Sequence, residues 1–251
     1  MGCKDLQKFP QRQRTLDKIV SWERNTKIEM NNLKGKINTN SELLLALHSS
    51  SNTLGVAILD SKDPSESISS NIFPIGRSLS NNIVKCVEEV LPASCWHQIS
   101  RLSVAIGPGS FTGTRLSIVM ARTLAQQLNC HVDGISSFAL MAPRLSKRLE
   151  IKSRHKPFWI IKEMPRKGII AGRYQIKKNS ETNNIEEGLE LEKPKLMTPE
   201  FKAKSSVNAL DDVAIDVIHL IQLSLLAKNL GRNSFWQNIL PIYTSSPVKA
   251  N

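Results

Sequence analysis

The segment best suited to chemistry is a glycine-rich stretch, residues 104–115, which reads Val-Ala-Ile-Gly-Pro-Gly-Ser-Phe-Thr-Gly-Thr-Arg. Its apolar start predicts a strand, its glycines a tight turn and its end a helix. In that order the backbone N–H groups at the start of the helix point above the turn, and the helix dipole favours an anion there. Arg115, in the first helical turn, can add a phosphate or carboxylate contact.

The candidate anion-binding residues all lie in this loop or in the first helical turn. They are Gly107, Gly109, Ser110, Thr112, Gly113 and Arg115. The loop is not a Walker A loop, because no Gly-Lys-Ser/Thr follows it, and its glycine spacing is one residue too long for a Rossmann fingerprint. The residues alone leave two interpretations open, an anion site and a purely structural strand-to-helix turn.

The sequence shows no set of side chains for covalent catalysis or metal binding. His48 has no carboxylate nearby to orient it, so a hydrogen-bonded turn residue is favoured over a general base. No His-Glu-x-x-His motif occurs. The four cysteines form no Cys-x-x-Cys pair and fit a reducing, cytoplasmic location. No apolar run approaches the roughly 20 residues that span a bilayer, so we expect no membrane contact.

The chain is strongly basic, with a formal net charge of +12. This balance suggests an acidic partner such as nucleic acid. The stretch from residue 144 to residue 178 is strongly basic. The aromatic residues Phe158, Trp159 and Tyr174 lie among its lysines and arginines. The candidate RNA contacts in this run are Arg154, Lys156, Arg166 and Lys167. An exposed basic hairpin with no ligand is the alternative.

The elements that position these segments follow from the apolar pattern. Residues 1–41 are polar and basic and predict a mostly disordered extension. Strands are predicted at 43–47, 54–59, 102–106 and 132–135, and a hairpin from 158–161 and 168–171. Helices are predicted at 79–91, 112–128, from Ser136 or Ser137 to Leu149, and at 211–227. Residues 179–208 predict a loop or a loosely packed insertion.

Two of the predicted helices carry a possible interface. Gly113, Ser117, Ala121 and Ala125 follow one another at intervals of four, and such a stripe of small side chains lets another helix approach closely. The helix at 79–91 contributes Leu79, Ile83 and Val87. The stripe either packs against this helix within the chain, or the two helices together present a face to another protein.

The stretch from Gly107 to Arg115 resembles the Gly-Pro-Gly-Ser-Phe-Thr-Gly-x-Arg signature of the TsaB (YeaZ) family. Three further segments agree with that family in order and spacing: residues 43–60 with its opening hairpin, 131–142 with its Gly-Val-Ser-Ser-Leu segment, and 240–243 with its closing segment. The resemblance is close from residue 43 to 174 and thin from there to 243.

This resemblance implies the ASKHA fold, an α/β architecture of sugar kinases, Hsp70 and actin with two ribonuclease-H-like lobes, the second abridged. The lobes would be residues 42–150 and 151–251. The family's partner is the enzyme TsaD, which holds the metal and transfers threonylcarbamoyl to adenosine 37 of tRNAs that read ANN codons (t6A biosynthesis). A small ATPase, TsaE, joins the cycle. TsaB-like chains bind and organise TsaD, or form homodimers, through their first two helices, so tRNA is an indirect partner.

The chain departs from the family pattern where catalysis would be expected. TsaB-like chains usually have Asp-Thr-Ser after the first strand, where this chain has His48, Ser49 and Ser50. An imidazole does not replace a carboxylate as a Mg²⁺ ligand, so we expect no ATP or Mg²⁺ cofactor and no catalysis by this chain alone. The sequence leaves two other functions open, an ATP-dependent enzyme of the same fold and a stand-alone basic RNA-binding module.

Overall fold

A computed structural model describes residues 40–63, 68–164, 168–178, 185–198 and 200–244. The predicted N-terminal extension therefore lies, except for its last two residues, outside the described residues. So do the candidate RNA contacts Arg166 and Lys167.

The first sheet has five strands, β1 (Leu43–His48), β2 (Leu54–Asp60), β3 (Ser69–Phe73), β4 (Ile99–Ala105) and β5 (His131–Ile135), in the order β3-β2-β1-β4-β5. Strand β1 is antiparallel to β2 and parallel to β4, and β4 is parallel to β5. The central strand β1 is buried along its whole length, as its continuous apolar run predicts for a strand covered on both faces. The sequence analysis missed β3, a polar strand at the edge of the sheet.

Four helices accompany the strands: α1 (Leu79–Val90), α2 (Phe111–Leu128), α3 (Ser137–Ser146) and α4 (Val213–Asn229). Helix α4 packs on the sheet face that carries Leu44 and Ala46, where it buries Val217, Leu220 and Ile221. Helices α1 and α2 contact each other and the same sheet, α1 on β2 and α2 on β4. The spacing of the apolar residues predicted α1, α2 and α4 to within two residues at each end.

The second sheet has four strands, β6 (Phe158–Met164), β7 (Gly168–Lys178), β8 (Glu186–Met197) and β9 (Ser206–Asn208), in the order β8-β7-β6-β9. Helix α3 packs against this sheet, and its Phe138, Met141 and Leu145 share a core with Phe158 and Ile160 of β6. The predicted hairpin is therefore correct in position, but β7 continues far beyond the expected residues 168–171.

Two predictions for this part of the chain were wrong. The stretch 179–208 is not simply a loop, because it contains β8 and β9. Strand β8 alternates leucine with glutamate and lies at the sheet edge, where backbone hydrogen bonds to β7 supply the order that its composition does not suggest. Helix α3 ends at Ser146 rather than at Leu149. The turn that follows receives a hydrogen bond from Arg154 Nη2 to the Lys147 carbonyl, 3.2 Å long.

Two buried ion pairs connect distant parts of the chain. Arg101 of β4 donates from Nε and Nη2 to both carboxylate oxygens of Asp133 on β5, at 2.7 and 2.8 Å. Ser234, after α4, donates to the same carboxylate at 2.6 Å. Arg144 of α3 donates in the same two-pronged way to Asp216 of α4, at 2.8 Å from each nitrogen.

Candidate functional site

The parallel strands of the first sheet bring three polar segments to one edge. The carboxyl ends of parallel strands lie at the same edge of a sheet, and here β1 leads into His48, β4 into the glycine-rich loop and β5 into Ser136. The Ser137 amide donates to the Gly107 carbonyl over 2.7 Å, which joins the second and third segments directly. In open α/β sheets this edge is where ligands bind.

The glycine-rich loop packs against the chain's own β1–β2 turn. The Ser110 amide donates to the Ser50 carbonyl over 2.6 Å. A Cβ atom at Gly109 would lie 2.2 Å from that carbonyl oxygen, and one at Gly113 would lie 2.5 Å from the Ser49 oxygen. Both glycines are thus required by close backbone packing inside the protein.

The start of α2 is also capped from within the chain. The Ser110 hydroxyl accepts a hydrogen bond from the Gly113 amide at 3.3 Å, which is a regular N-cap. One turn later the hydroxyls of Ser117 and Ser49 are 2.6 Å apart and buried. Of the predicted loop residues, only Thr112 and Gly109 are exposed to solvent. These contacts favour the structural interpretation of the loop over the anion site.

Arg115 is engaged by aromatic rings. Its guanidinium carbon lies 3.6 Å from the centre of the Phe111 ring and 4.9 Å from that of Tyr243, and its Nε donates to the Tyr243 hydroxyl at 3.0 Å. The Ile242 amide donates to the Ile106 carbonyl over 2.8 Å. Arg115 therefore helps to hold the closing segment of the chain beside the glycine-rich loop.

A small cleft remains between the loop, Arg115, Lys162 and the closing segment. Its volume is about 220 Å³, whereas clefts for drug-sized ligands usually have volumes of about 300–1,000 Å³. A larger cleft of about 870 Å³ lies between β5, β8 and the closing segment. Its acidic groups already have partners, since Asp133 binds Arg101 and Glu190 accepts from the Tyr174 hydroxyl at 3.1 Å.

His48 is a buried, uncharged residue at the end of β1. It is 1% exposed, and burial lowers the pKa of its imidazole to about 4. Its Nε2 lies 3.5 Å from the Ser50 hydroxyl, and its Nδ1 has no hydrogen-bond partner among the described residues. A neutral ring here contributes neither the charge nor the oxygen ligands that Mg²⁺ requires.

Burial of His48 predicts a specific loss of stability in acid. Because its pKa is about 4 in the folded chain and about 6.5 when exposed, the unfolded state binds more protons between these two values. The free energy of unfolding should therefore fall as the pH is lowered from about 6.5 to about 4, by about 3 kcal/mol in total from this residue. The component should be absent in His48→Gln.

Denaturant unfolding of both proteins from pH 7 to pH 4 measures this difference. The exposed His155 provides a matched control, and His155→Gln should keep the pH dependence of the parent chain. Parallel curves for the parent and His48→Gln would contradict the assignment.

The predicted interface residues of α1 and α2 are not accessible. All seven, namely Leu79, Ile83, Val87, Gly113, Ser117, Ala121 and Ala125, are buried. The small-residue stripe lets α2 pack closely within the chain, where the Ser117 hydroxyl contacts the Ser49 hydroxyl. The role of these helices as an interface stays a prediction, and the side chains that they expose are the outward ones.

Part of the outward side of α2 carries uncharged, mostly apolar side chains over two turns. Leu116, Val119, Met120 and Thr123 follow the spacing i, i+3, i+4, i+7 and so share one face. Val119 is 60% exposed and Thr123 is exposed, while Leu116 and Met120 are half-buried. We call these four residues the α2 face. The sequence analysis assigned the possible interface to the small residues and not to these four.

The candidate RNA contacts that the structure describes lie in one connector. Arg154 and Lys156 belong to the segment between α3 and β6, where Lys156 is exposed and Arg154 is half-buried. Two of the interleaved aromatic residues, Phe158 and Tyr174, are core residues and cannot stack on a base. Trp159, on the other face of β6, is half-buried beside Phe201, with ring centres 5.0 Å apart.

Among the described residues, no three or more His, Cys, Asp or Glu side chains are grouped so that they could hold a metal ion. The same part of the chain contains no helix with the length and apolar character to cross a membrane.

Comparison with known proteins finds one similar relative and one matching family model. The chain is 31% identical over 101 residues to the tRNA threonylcarbamoyladenosine biosynthesis protein TsaB of Bacillus subtilis. The family model described as TsaD, tRNA N6-adenosine threonylcarbamoyltransferase, matches residues 74–195. This match includes α1, the glycine-rich loop and α2. Over this region the chain is similar to the TsaB/YeaZ family.

Solved YeaZ structures share the fold of this chain. YeaZ from Pseudomonas aeruginosa superposes with a TM-score of 0.58 at 18% identity, over 80% of this chain and all of that one. A Pseudomonas aeruginosa protein described as similar to peptidase YEAZ gives 0.60 at 19% identity, over 81% of this chain and all of the other. The two-sheet α/β architecture is thus the fold of these YeaZ structures. The aligned part spans only 43% of the Bacillus subtilis TsaB.

Proposed function

We propose that this chain is a non-catalytic subunit that binds and organises a TsaD enzyme for the threonylcarbamoylation of adenosine 37 in ANN-decoding tRNA. In this proposal the chain works in the cytoplasm without a nucleotide or metal of its own, and TsaE joins the complex. The similarity to the TsaB/YeaZ family points to this pathway, since the Bacillus subtilis relative is a tRNA threonylcarbamoyladenosine biosynthesis protein.

The observation that carries the proposal is the sheet edge where an ASKHA enzyme would need its phosphate and metal groups. Here the chain fills that edge itself. The turn at Ser49 and Ser50 packs against the glycines of the loop, and His48 is a buried neutral ring. The Ser110 amide and the Gly113 amide at the start of α2 already have hydrogen-bond acceptors within the chain. This geometry supports a structural role more than phosphoryl chemistry.

The α2 face supplies a surface for the partner. The patch of Leu116, Val119, Met120 and Thr123 offers uncharged side chains for the apolar centre of an interface, with Val119 as its most exposed member. The same face would serve in a homodimer when TsaD is absent, so the two assemblies should compete.

A single substitution tests this surface. Val119→Glu places a charge in the centre of the α2 face and is expected to weaken TsaD binding about 30-fold or more, because hot-spot substitutions cost about 2 kcal/mol or more. The measurement is co-purification and calorimetric titration with TsaD from the same organism, followed by a tRNA-modification assay with and without this chain.

Ile215→Glu is the matched control, since Ile215 is a similarly exposed β-branched residue on α4. It should leave TsaD binding unchanged. Equal affinity of TsaD for Val119→Glu and Ile215→Glu would exclude the α2 face, and absence of any complex with folded TsaD would overturn the proposed function.

A further inference from the structure

The topology of the second sheet brings two basic segments to the same end. Strands β6 and β9 are parallel, with Trp159 opposite Ser206. The connector that leads into β6 and the loop that leads into β9 therefore arrive side by side. Their contact is direct, since the Trp159 amide donates to the Ser205 carbonyl over 2.9 Å.

Five exposed cations on these two segments form what we call the basic end. They are Arg148, Lys152 and Lys156 on the connector and Lys202 and Lys204 on the loop. No ion pair with a carboxylate of the described residues engages any of them, and the exposed acidic residues in these two segments are Glu150 and Glu200. The basic end thus carries a clear excess of positive charge over a short stretch of surface.

Hydrogen bonds give the backbone of the connector a defined shape. The amides of Ser153 and Lys156 donate to the carbonyls of Glu150 and Ser153, at 2.8 and 3.1 Å. Gln175 of β7 donates from its Nε2 to the His155 carbonyl over 3.1 Å. Positively charged groups at preset positions lose less entropy when they bind a charged polymer.

An aromatic pair lies beside these cations. The rings of Trp159 and Phe201 meet edge to face, with centres 5.0 Å apart and planes inclined by 72°. Phe201 directly precedes Lys202, and Trp159 lies three residues after Lys156. Both rings are only half-buried. On such a surface the cations can bind the phosphates of a nucleic acid, and an accessible aromatic ring can stack on an unpaired base.

We propose that the basic end is an RNA-binding surface, with its cations on the sugar-phosphate backbone and the Trp159–Phe201 pair against an unpaired base. The choice of tRNA as the RNA rests on the proposed function. An anionic membrane is the competing partner, because Ile151, in the middle of the connector, is 78% exposed. The aromatic pair favours RNA, since it lies on the sheet face and not at the tip of the connector.

Two variants of equal net charge separate a local surface from a general charge effect. Lys152→Glu with Lys204→Glu reverses two cations of the basic end, and Arg77→Glu with Lys193→Glu reverses two exposed cations elsewhere. The probe is a labelled ANN-decoding tRNA transcript, titrated with the full chain from 50 to 200 mM KCl. The basic-end variant should bind about tenfold more weakly, and its log–log salt slope should be smaller by about two. The control should stay within about twofold of the parent.

Phe201→Ala tests the stacking. Its affinity for the tRNA should fall about fivefold or more, while its affinity for a fully paired RNA duplex should stay within about twofold of the parent. Thermal unfolding of each variant confirms that it is folded. Equal weakening on both RNAs would overturn the stacking role.

Three results would overturn the proposal as a whole. They are equal losses in the two charge variants, no measurable binding of the parent chain to tRNA, and charge-dependent binding to phosphatidylserine vesicles in place of tRNA. TsaD binding is measured on the same variants and should be unchanged. Absence of RNA binding by the parent chain with TsaD binding intact would therefore exclude the basic end alone, whereas absence of a TsaD complex would exclude the proposed function.

Discussion

Ala121→Glu is expected to unfold the chain. Ala121 is 0% exposed on the inner side of α2, so a glutamate there must either bury an uncompensated charge or force the helix off the core. A buried unpaired ion costs several kcal/mol, and the extra volume adds about 1–3 kcal/mol. The sum, about 5 kcal/mol or more, is comparable to the whole stability of a typical domain, about 5–15 kcal/mol.

Val119→Glu, two residues away on the same helix, is the control for that result. The Val119 side chain is exposed to solvent, so the free energy of unfolding of Val119→Glu should lie within about 1 kcal/mol of that of the parent chain. Its affinity for TsaD should nevertheless fall. Circular dichroism and denaturant unfolding of the two variants measure the contrast. If Ala121→Glu were folded and failed only to bind TsaD, the small-residue stripe would be the partner surface after all.

Asp216→Ala should destabilise the chain by about 3 kcal/mol, because it removes a buried carboxylate that pairs with the half-buried Arg144. Asp216 is almost fully buried, and Arg144 donates to both of its carboxylate oxygens at 2.8 Å. Without the carboxylate, the Arg144 guanidinium keeps only a backbone contact to the Leu210 carbonyl. The pair joins α3 to α4, so α3 is expected to loosen first.

Denaturant unfolding at pH 7 measures this loss. Lys162 and Asp211 form the matched surface pair, 3.1 Å apart and partly exposed, and Asp211→Ala should cost less than about 1 kcal/mol. The double variant Arg144→Met with Asp216→Leu removes both charges and should recover much of the stability lost in Asp216→Ala. If the double variant were as unstable as the single one, lost packing rather than an unpaired charge would be the cause.

The sequence by itself determined the main elements and showed the resemblance to the TsaB (YeaZ) family. Apolar runs fixed the central strand β1, and periodicity of about four residues fixed α1, α2 and α4, since burial of a continuous apolar face dominates local structure in these segments. The motif from Gly107 to Arg115 gave the resemblance to the TsaB (YeaZ) family, and the similarity to the Bacillus subtilis relative then supported it. The strand at β8 escaped prediction, because its order comes from pairing with β7 and not from its own apolar residues.

Only the tertiary structure shows which atoms the glycine-rich loop contacts and which side of α2 is buried. A glycine in the loop allows close approach of any backbone, and only the fold shows that the approaching atoms are the carbonyl oxygens of Ser49 and Ser50. Likewise, a helix repeat marks two faces without saying which is buried, and only the fold shows that Ala121 is buried and Val119 is exposed. The basic end appeared only when parallel pairing of β6 and β9 joined segments about 50 residues apart, since strand pairing, not sequence order, sets which charges become neighbours.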